Sequence, residues 1–157
     1  CSSDLITRKA KQLGIPLTPP ASHPFNPLLL LRTTCAVPAD KDPSPLIDAL
    51  FAATWAESRN VSDPKVVAEV ATTAGYDGKK LVEETQNPAV KQALIGHVTA
   101  ALEKGVFGVP SMLLEKDVFW GHDDFPNLAL ALRGGDLFDP AELEAWKQLK
   151  PSTQRKK

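Results

Sequence analysis

The chain has 157 residues, 43% of them hydrophobic and 24% charged, with a net charge of −1. These values suit a globular domain with a real core and exclude the broad basic footprint that nucleic-acid binding needs. No apolar run approaches the roughly 18 residues of a membrane span, and the longest leucine run, Leu28–Leu31, ends in Arg32.

Two cysteines, Cys1 and Cys35, stand far apart with no Cys-x-x-Cys pair. That argues against a metal centre, a dithiol redox motif and a disulfide scaffold, and points to a reducing compartment. No leader pattern is read at the N-terminus. The chain opens on Cys rather than Met, and its first residues already read as helix, so the true start is expected upstream.

Residues 2–13 predict a helix, with Ser2 or Ser3 as cap, apolar residues at helical spacing and Gly14 as stop. Ile15-Pro16-Leu17-Thr18 reads as extended, and Pro19-Pro20 keeps it from becoming helix. From Asn26 to about residue 104 the pattern is helical throughout. Asn26-Pro27 caps a helix over 28–36, and Pro43-Ser44-Pro45 opens one over 46–58. The latter is expected to bury Ile47, Leu50, Phe51, Thr54 and Trp55.

Ser62-Asp63-Pro64 opens the next helix, with Val66, Val67, Val70 and Ala74 inward and Gly75 as its end. A short helix follows over 79–84. Asn87-Pro88 then opens a long one through Glu103, with Val90, Leu94, Val98, Ala101 and Leu102 as its stripe. His97 beside that stripe reads as a structural histidine, since no second ligand type stands at helical spacing from it.

After Gly105 the period changes. Residues 111–115 and 118–120 read as two short strands around a Lys116-Asp117 turn. Helical spacing returns from Phe125 to Arg133 and stops at Gly134-Gly135; Asp139-Pro140 caps a last short helix with Leu143 and Trp146. The basic end, Gln154-Arg155-Lys156-Lys157, reads as part of a disordered tail over 151–157. An isolated hairpin is barely stable in water, so further strands are expected from sequence before residue 1 or from another chain.

A strand-turn-strand-helix ending, entered through Val109-Pro110, resembles the second half of a thioredoxin fold, in which that proline is cis. The residues also resemble a specific family. "GVFGVP", the hairpin and "FWGHDDF" are similar to the kappa-class glutathione transferases and 2-hydroxychromene-2-carboxylate isomerases. "DLITRKAKQLGIPLTPP", "HPFNPLLLLR" and "LFAATWAESRNVSDPKVVAEVATTAGYD" extend the resemblance over nearly the whole chain.

The resemblance implies an α/β, thioredoxin-like domain (1–20 and 105–150) with an inserted all-helical domain (21–104). The N-terminal half of the thioredoxin part is absent from these residues, which leaves a mostly α chain with a small hairpin. It implies glutathione as cofactor. The backbone of Val109, before Pro110, would pair with the tripeptide's cysteinyl part. His122 and Asp123 would hold its γ-glutamyl end. The residues alone favour a different use, in which Asp123 and Asp124 cap the helix beginning near Phe125. Asp124 stands where the family carries arginine. The family's catalytic serine lies on a preceding β-α-β unit; Ser2 and Ser3 do not match it, and the catalytic residue is unassigned.

The implied activity is glutathione-dependent isomerisation of the 2-hydroxychromene-2-carboxylate type, on a small aromatic or electrophilic substrate. The alternatives are a kappa-class transferase acting on other electrophiles and a non-catalytic helical interaction module. A disulfide oxidoreductase fails for want of a dithiol pair. A homodimer is expected, in the cytoplasm or, in a eukaryote, a mitochondrion or peroxisome, with neither nucleic acid nor membrane as partner.

Overall fold

Proline, glycine and short acidic caps set most element boundaries in the computed structural model, which describes residues 2–135 and 140–150. The order is α1 (Ser2–Leu13), α2 (Leu28–Cys35), α3 (Ser44–Trp55), α4 (Pro64–Thr73), α5 (Gly78–Glu84), α6 (Pro88–Glu103), β1 (Ser111–Leu114), β2 (Asp117–Trp120), a 3-10 turn (His122–Asp124), α7 (Phe125–Leu132) and α8 (Pro140–Lys147). Two compact units result, residues 1–100 and 101–157, with the division inside α6. The expected cap Asp139 and the tail 151–157 lie outside the described residues.

Side-chain oxygens satisfy the first orphan amides of the helices. Asp63 accepts the Lys65 N–H at 2.9 Å and Asp77 accepts the Lys80 N–H at 3.1 Å. Asn87 does the same for Ala89 at 2.9 Å. Before α2 the expected order shifts by one residue. Asn26 still accepts the Leu28 N–H, at 3.0 Å, but Pro27 occupies the cap position and its carbonyl takes the first helical bond. At the far end of α6, Gly105 turns left-handed (φ +81°). The amide of Val106 then returns to Ala101 and that of Gly105 to Leu102.

α3 ends three residues earlier than its spacing predicts. Ser58 adopts φ +55°, Arg59 N–H bonds back to Ala53 at 2.8 Å, and the Ser58 hydroxyl donates to the Pro19 carbonyl at 2.7 Å. The extended piece is therefore tied to the end of α3, where Thr18 N–H also bonds the Trp55 carbonyl at 2.7 Å.

The core of the first unit forms where α2, α3, α4 and α5 pack on one another. Leu46 and Val67 are wholly buried there, with Leu50, Ala53, Val70, Ala71 and Leu81 around them. On α3 the buried set is 46, 50, 53 and 54, an i, i+4, i+7, i+8 face. The predicted stripe is rotated relative to this. Leu50 and Thr54 are inside, but Phe51 is 63% exposed and Ile47 and Trp55 are half-buried. α3 is apolar on two adjacent faces, and periodicity alone does not say which meets α4.

α6 departs further. Val90 is its one buried residue among those described, and Val98 and Leu102 are more than half exposed. Helix α5 approaches α4 closely at Gly78. A methyl group there would collide with the Ala68 carbonyl and lie 2.7 Å from the Thr72 hydroxyl oxygen.

In the second unit β1 and β2 pair antiparallel, Ser111 with Trp120 through Leu114 with Asp117. The turn is one residue earlier than expected. Glu115 and Lys116 form it, Glu115 in left-handed backbone (φ +53°), and Asp117 joins the ladder. No strand other than these two occurs among the described residues.

Leu46→Ala leaves a cavity that its neighbours fill only partly, at a cost of about 2–5 kcal/mol. Phe51→Ala, on the outer face of the same helix, is expected to cost under about 1 kcal/mol. Urea unfolding of both variants checks the assignment of the buried face. Gly78→Ala forces α5 off α4 and should destabilise by about 1–3 kcal/mol despite alanine's better helix propensity; a raised unfolding midpoint would contradict the close approach.

Candidate functional site

The loop before β1 is held from two sides. The Gly108 carbonyl accepts the Ser111 hydroxyl at 2.7 Å. Its Cα lies under the Trp120 indole, so closely that any side chain at 108 would strike the ring nitrogen. Phe107 lies against the same indole, ring centroids 5.3 Å apart. Only glycine fits this contact.

Val109 follows and is 88% exposed. The Val109–Pro110 peptide is cis, as the fold resemblance implied. A second cis peptide, His23–Pro24, carried no such sequence signal. The N–H and C=O of Val109 have no backbone partner among the described residues.

The Pro110 carbonyl accepts the Gly121 N–H at 2.9 Å, one step beyond the Ser111–Trp120 pair. This bond brings the Val109 loop beside the start of the 3-10 turn. Gly121, at φ +85°, swings the chain out of β2 and into His122–Asp124. Asp123 is exposed and has no hydrogen-bond partner among the described residues. The His122 ring meets Phe125 edge-on at 5.7 Å, and its carbonyl takes the Phe125 N–H. Of the four residues assigned from the sequence, Val109 and Pro110 thus flank one side of this bond, and His122 and Asp123 the other.

Asp124 behaves differently from the cap that the residue pattern suggests. It occupies the N-cap position of α7, but its backbone is helical (φ −90°, ψ −6°) and its side chain makes no cap bond. An N-cap side chain reaches the helix amides from extended backbone. Here the carboxylate reaches backward instead, accepting the Trp120 N–H at 2.8 Å and the Asn127 side-chain amide at 2.8 Å. The bond from Asn127 and then that from Trp120 hold its pKa below the usual carboxylate range. Asp124 therefore ties the end of the hairpin to the first turn of α7.

The first unit holds a pair that the sequence reading missed. Cys35 Sγ lies 3.8 Å from His97 Nδ1. His97, read from the sequence as a structural histidine, is exposed and stands beside the Cys35 thiol. The two stand 62 positions apart on different helices, so no spacing rule connects them. No group of three or more His, Cys, Asp or Glu side chains suited to a metal occurs among the described residues, and no described helix is long and apolar enough to cross a membrane.

Comparison with known proteins places these features. The model of the DSBA-like thioredoxin domain matches residues 2–133. The 2-hydroxychromene-2-carboxylate isomerase of Pseudomonas putida is 27% identical over 118 residues, 75% of this chain and 57% of that protein. Its counterpart from Sphingobium xenophagum is 26% identical over 121 residues, 75% of this chain and 60% of that one. The chain therefore spans less than two thirds of the length of these curated relatives. A solved structure of 2-hydroxychromene-2-carboxylate isomerase superposes with a TM-score of 0.74 at 25% identity, covering 94% of this chain and 69% of the other. The unpaired Val109 backbone at the hairpin entrance, the two-strand ladder and the helix behind it sit in a chain that belongs to the DSBA-like thioredoxin domain family.

Proposed function

We propose that this chain carries the glutathione-binding and helical parts of an isomerase of the 2-hydroxychromene-2-carboxylate type. The observation that carries the reading is Val109, whose exposed backbone has no backbone partner among the described residues and is joined, through the Pro110–Gly121 bond, to the turn that bears Asp123, exposed and without a hydrogen-bond partner among those residues. A tripeptide thiol has matching groups. Its own amide and carbonyl complement those of Val109 in the manner of an added strand. Its γ-glutamyl amine is cationic and complements Asp123.

Bound glutathione supplies a sulfur nucleophile. The residues of this chain bind and orient it. Pro110 holds the loop against Gly121 through its carbonyl, and the His122 backbone sets the position of Asp123. Asp124 keeps the turn in register by accepting the Trp120 amide, a role that arginine at this position could not fill because its side chain has no acceptor. The isomerases of Pseudomonas putida and Sphingobium xenophagum support the reaction class by their similarity.

Calorimetric titration with glutathione, followed by an isomerisation assay with and without it, tests the proposal. Glutathione should bind with 1:1 stoichiometry. Asp123→Ala should weaken binding about fivefold, the scale of an exposed ion pair. In the assay the same change should raise KM for glutathione while leaving kcat nearly unchanged, because the contact is alike in ground and transition states. Absence of binding heat in the folded protein would sink the glutathione reading. Conjugation of electrophiles without isomerisation would move the activity to the transferase class.

A pH dependence follows from Asp124. Its folded-state pKa is depressed, so its contribution is present above the unfolded value near 3.9 and is lost as pH falls through the folded value. The Trp120 amide should therefore exchange faster, relative to Phe119, once the pH drops below about 4. Asp124→Ala should produce that faster exchange already at neutral pH. Unaltered Trp120 protection in both experiments would show that the carboxylate does not hold the turn.

A further inference from the structure

The first unit contains a cavity of about 460 Å³ walled by α2, α3 and α6. That volume lies in the range of small-molecule sites. Its walls include Phe25, Leu31, Ile47, Phe51, Trp55 and Leu94. The two lining threonines are already satisfied, Thr34 donating to the Leu30 carbonyl at 3.1 Å and Thr54 to the Leu50 carbonyl at 2.7 Å. Neither asks for a polar ligand. Cys35 and His97 also line the cavity, 3.8 Å apart. Among the described residues no lysine or arginine lines it, so no permanent cation there is built to hold a carboxylate such as the one named in the relatives' substrate.

We propose that this cavity is a second binding site, distinct from the Val109 site, for a flat, uncharged, apolar electrophile whose soft carbon is captured by Cys35 with His97 as the base. Three aromatic rings, those of Phe25, Phe51 and Trp55, offer faces and edges to a planar guest. The exposed side of Phe51 and of Leu31, which is 44% exposed, forms the mouth.

The chemistry balances without an added oxidant or reductant. With its own proton on Nε2, His97 accepts the Cys35 thiol proton at Nδ1. The sulfur electron pair forms a C–S bond to the β-carbon of a conjugated carbonyl. The displaced π pair passes to the carbonyl oxygen as an enolate, and the proton on Nδ1 is returned to the α-carbon. Selectivity comes from the resting state of the thiol. Burial pushes the Cys35 pKa up, and the residue ends α2, where the helix dipole disfavours a thiolate. A polar reagent finds no apolar hold in the cavity and meets a resting thiol only in passing, whereas an apolar guest is retained beside the thiol and His97.

The test uses the full chain with Cys1→Ser, which leaves Cys35 as the one cysteine. N-phenylmaleimide is the apolar electrophile and iodoacetamide the polar control, with labelling read by intact mass and peptide mapping. The expected result is a rate that saturates with N-phenylmaleimide and stays linear with iodoacetamide, and protection by naphthalene. Leu31→Trp, a change at the exposed mouth, should raise the half-saturating concentration. His97→Gln should lower the maximum rate about 100-fold while leaving half-saturation in place. Naphthalene quenching of tryptophan emission in Cys35→Ser reads occupancy without the chemistry. A linear rate without naphthalene protection or quenching would overturn the site. Saturation with an unchanged maximum rate in His97→Gln would overturn the base.

Discussion

The helical unit depends on the missing side chain at Gly78. The Ala68 carbonyl of α4 sits where a Cβ would be, so α5 lies flush against α4. With α5 seated there, Leu81 reaches the buried cluster and Thr33 of α2 is fully enclosed. α3 packs on α4 as well, with Leu46, Leu50 and Ala53 among its buried residues. A few ångströms of added separation would open that cluster, whose members are small or medium aliphatic side chains with little spare reach.

Helix positions, caps and the hairpin were legible because their signals are local. Asp63-Pro64 and Asn87-Pro88 announce helix starts through side chains that bond amides two residues on, whereas the Asp77 cap of α5 emerges only in the structure. The entrance Val109-Pro110 and the turn after Gly121 were legible through the family resemblance. What the sequence hid is rotational and long-range. α3 offers two apolar faces 100° apart, and α4 decides between them. Asp124 reads as a helix cap by position, but its backbone angles send the carboxylate toward Trp120. Cys35 and His97 come together through the packing of α2 and α6, and neither helix carries a pattern that anticipates the other.

The two sites answer different chemical demands. The hairpin entrance is built from backbone groups and carboxylates at the surface, suited to an extended, charged peptide-like partner. The cavity of the helical unit is apolar, with one thiol and one imidazole at its wall. Both proposals need the proton removed from a thiol. In the first the sulfur would arrive with the ligand, and in the second it would belong to the chain.

The Pro110–Gly121 bond and the Asp124–Trp120 bond join residues only eleven and four positions apart. Both bonds are therefore short-range along the chain. Closing such loops takes well under a millisecond, and contact order this low speeds assembly. The helical unit instead needs Thr18 to meet Trp55, and Cys35 to meet His97. On a chain refolding in one piece, the hairpin entrance closes over shorter loops than the helical core does, and the wall of the apolar cavity waits on a closure across 62 positions.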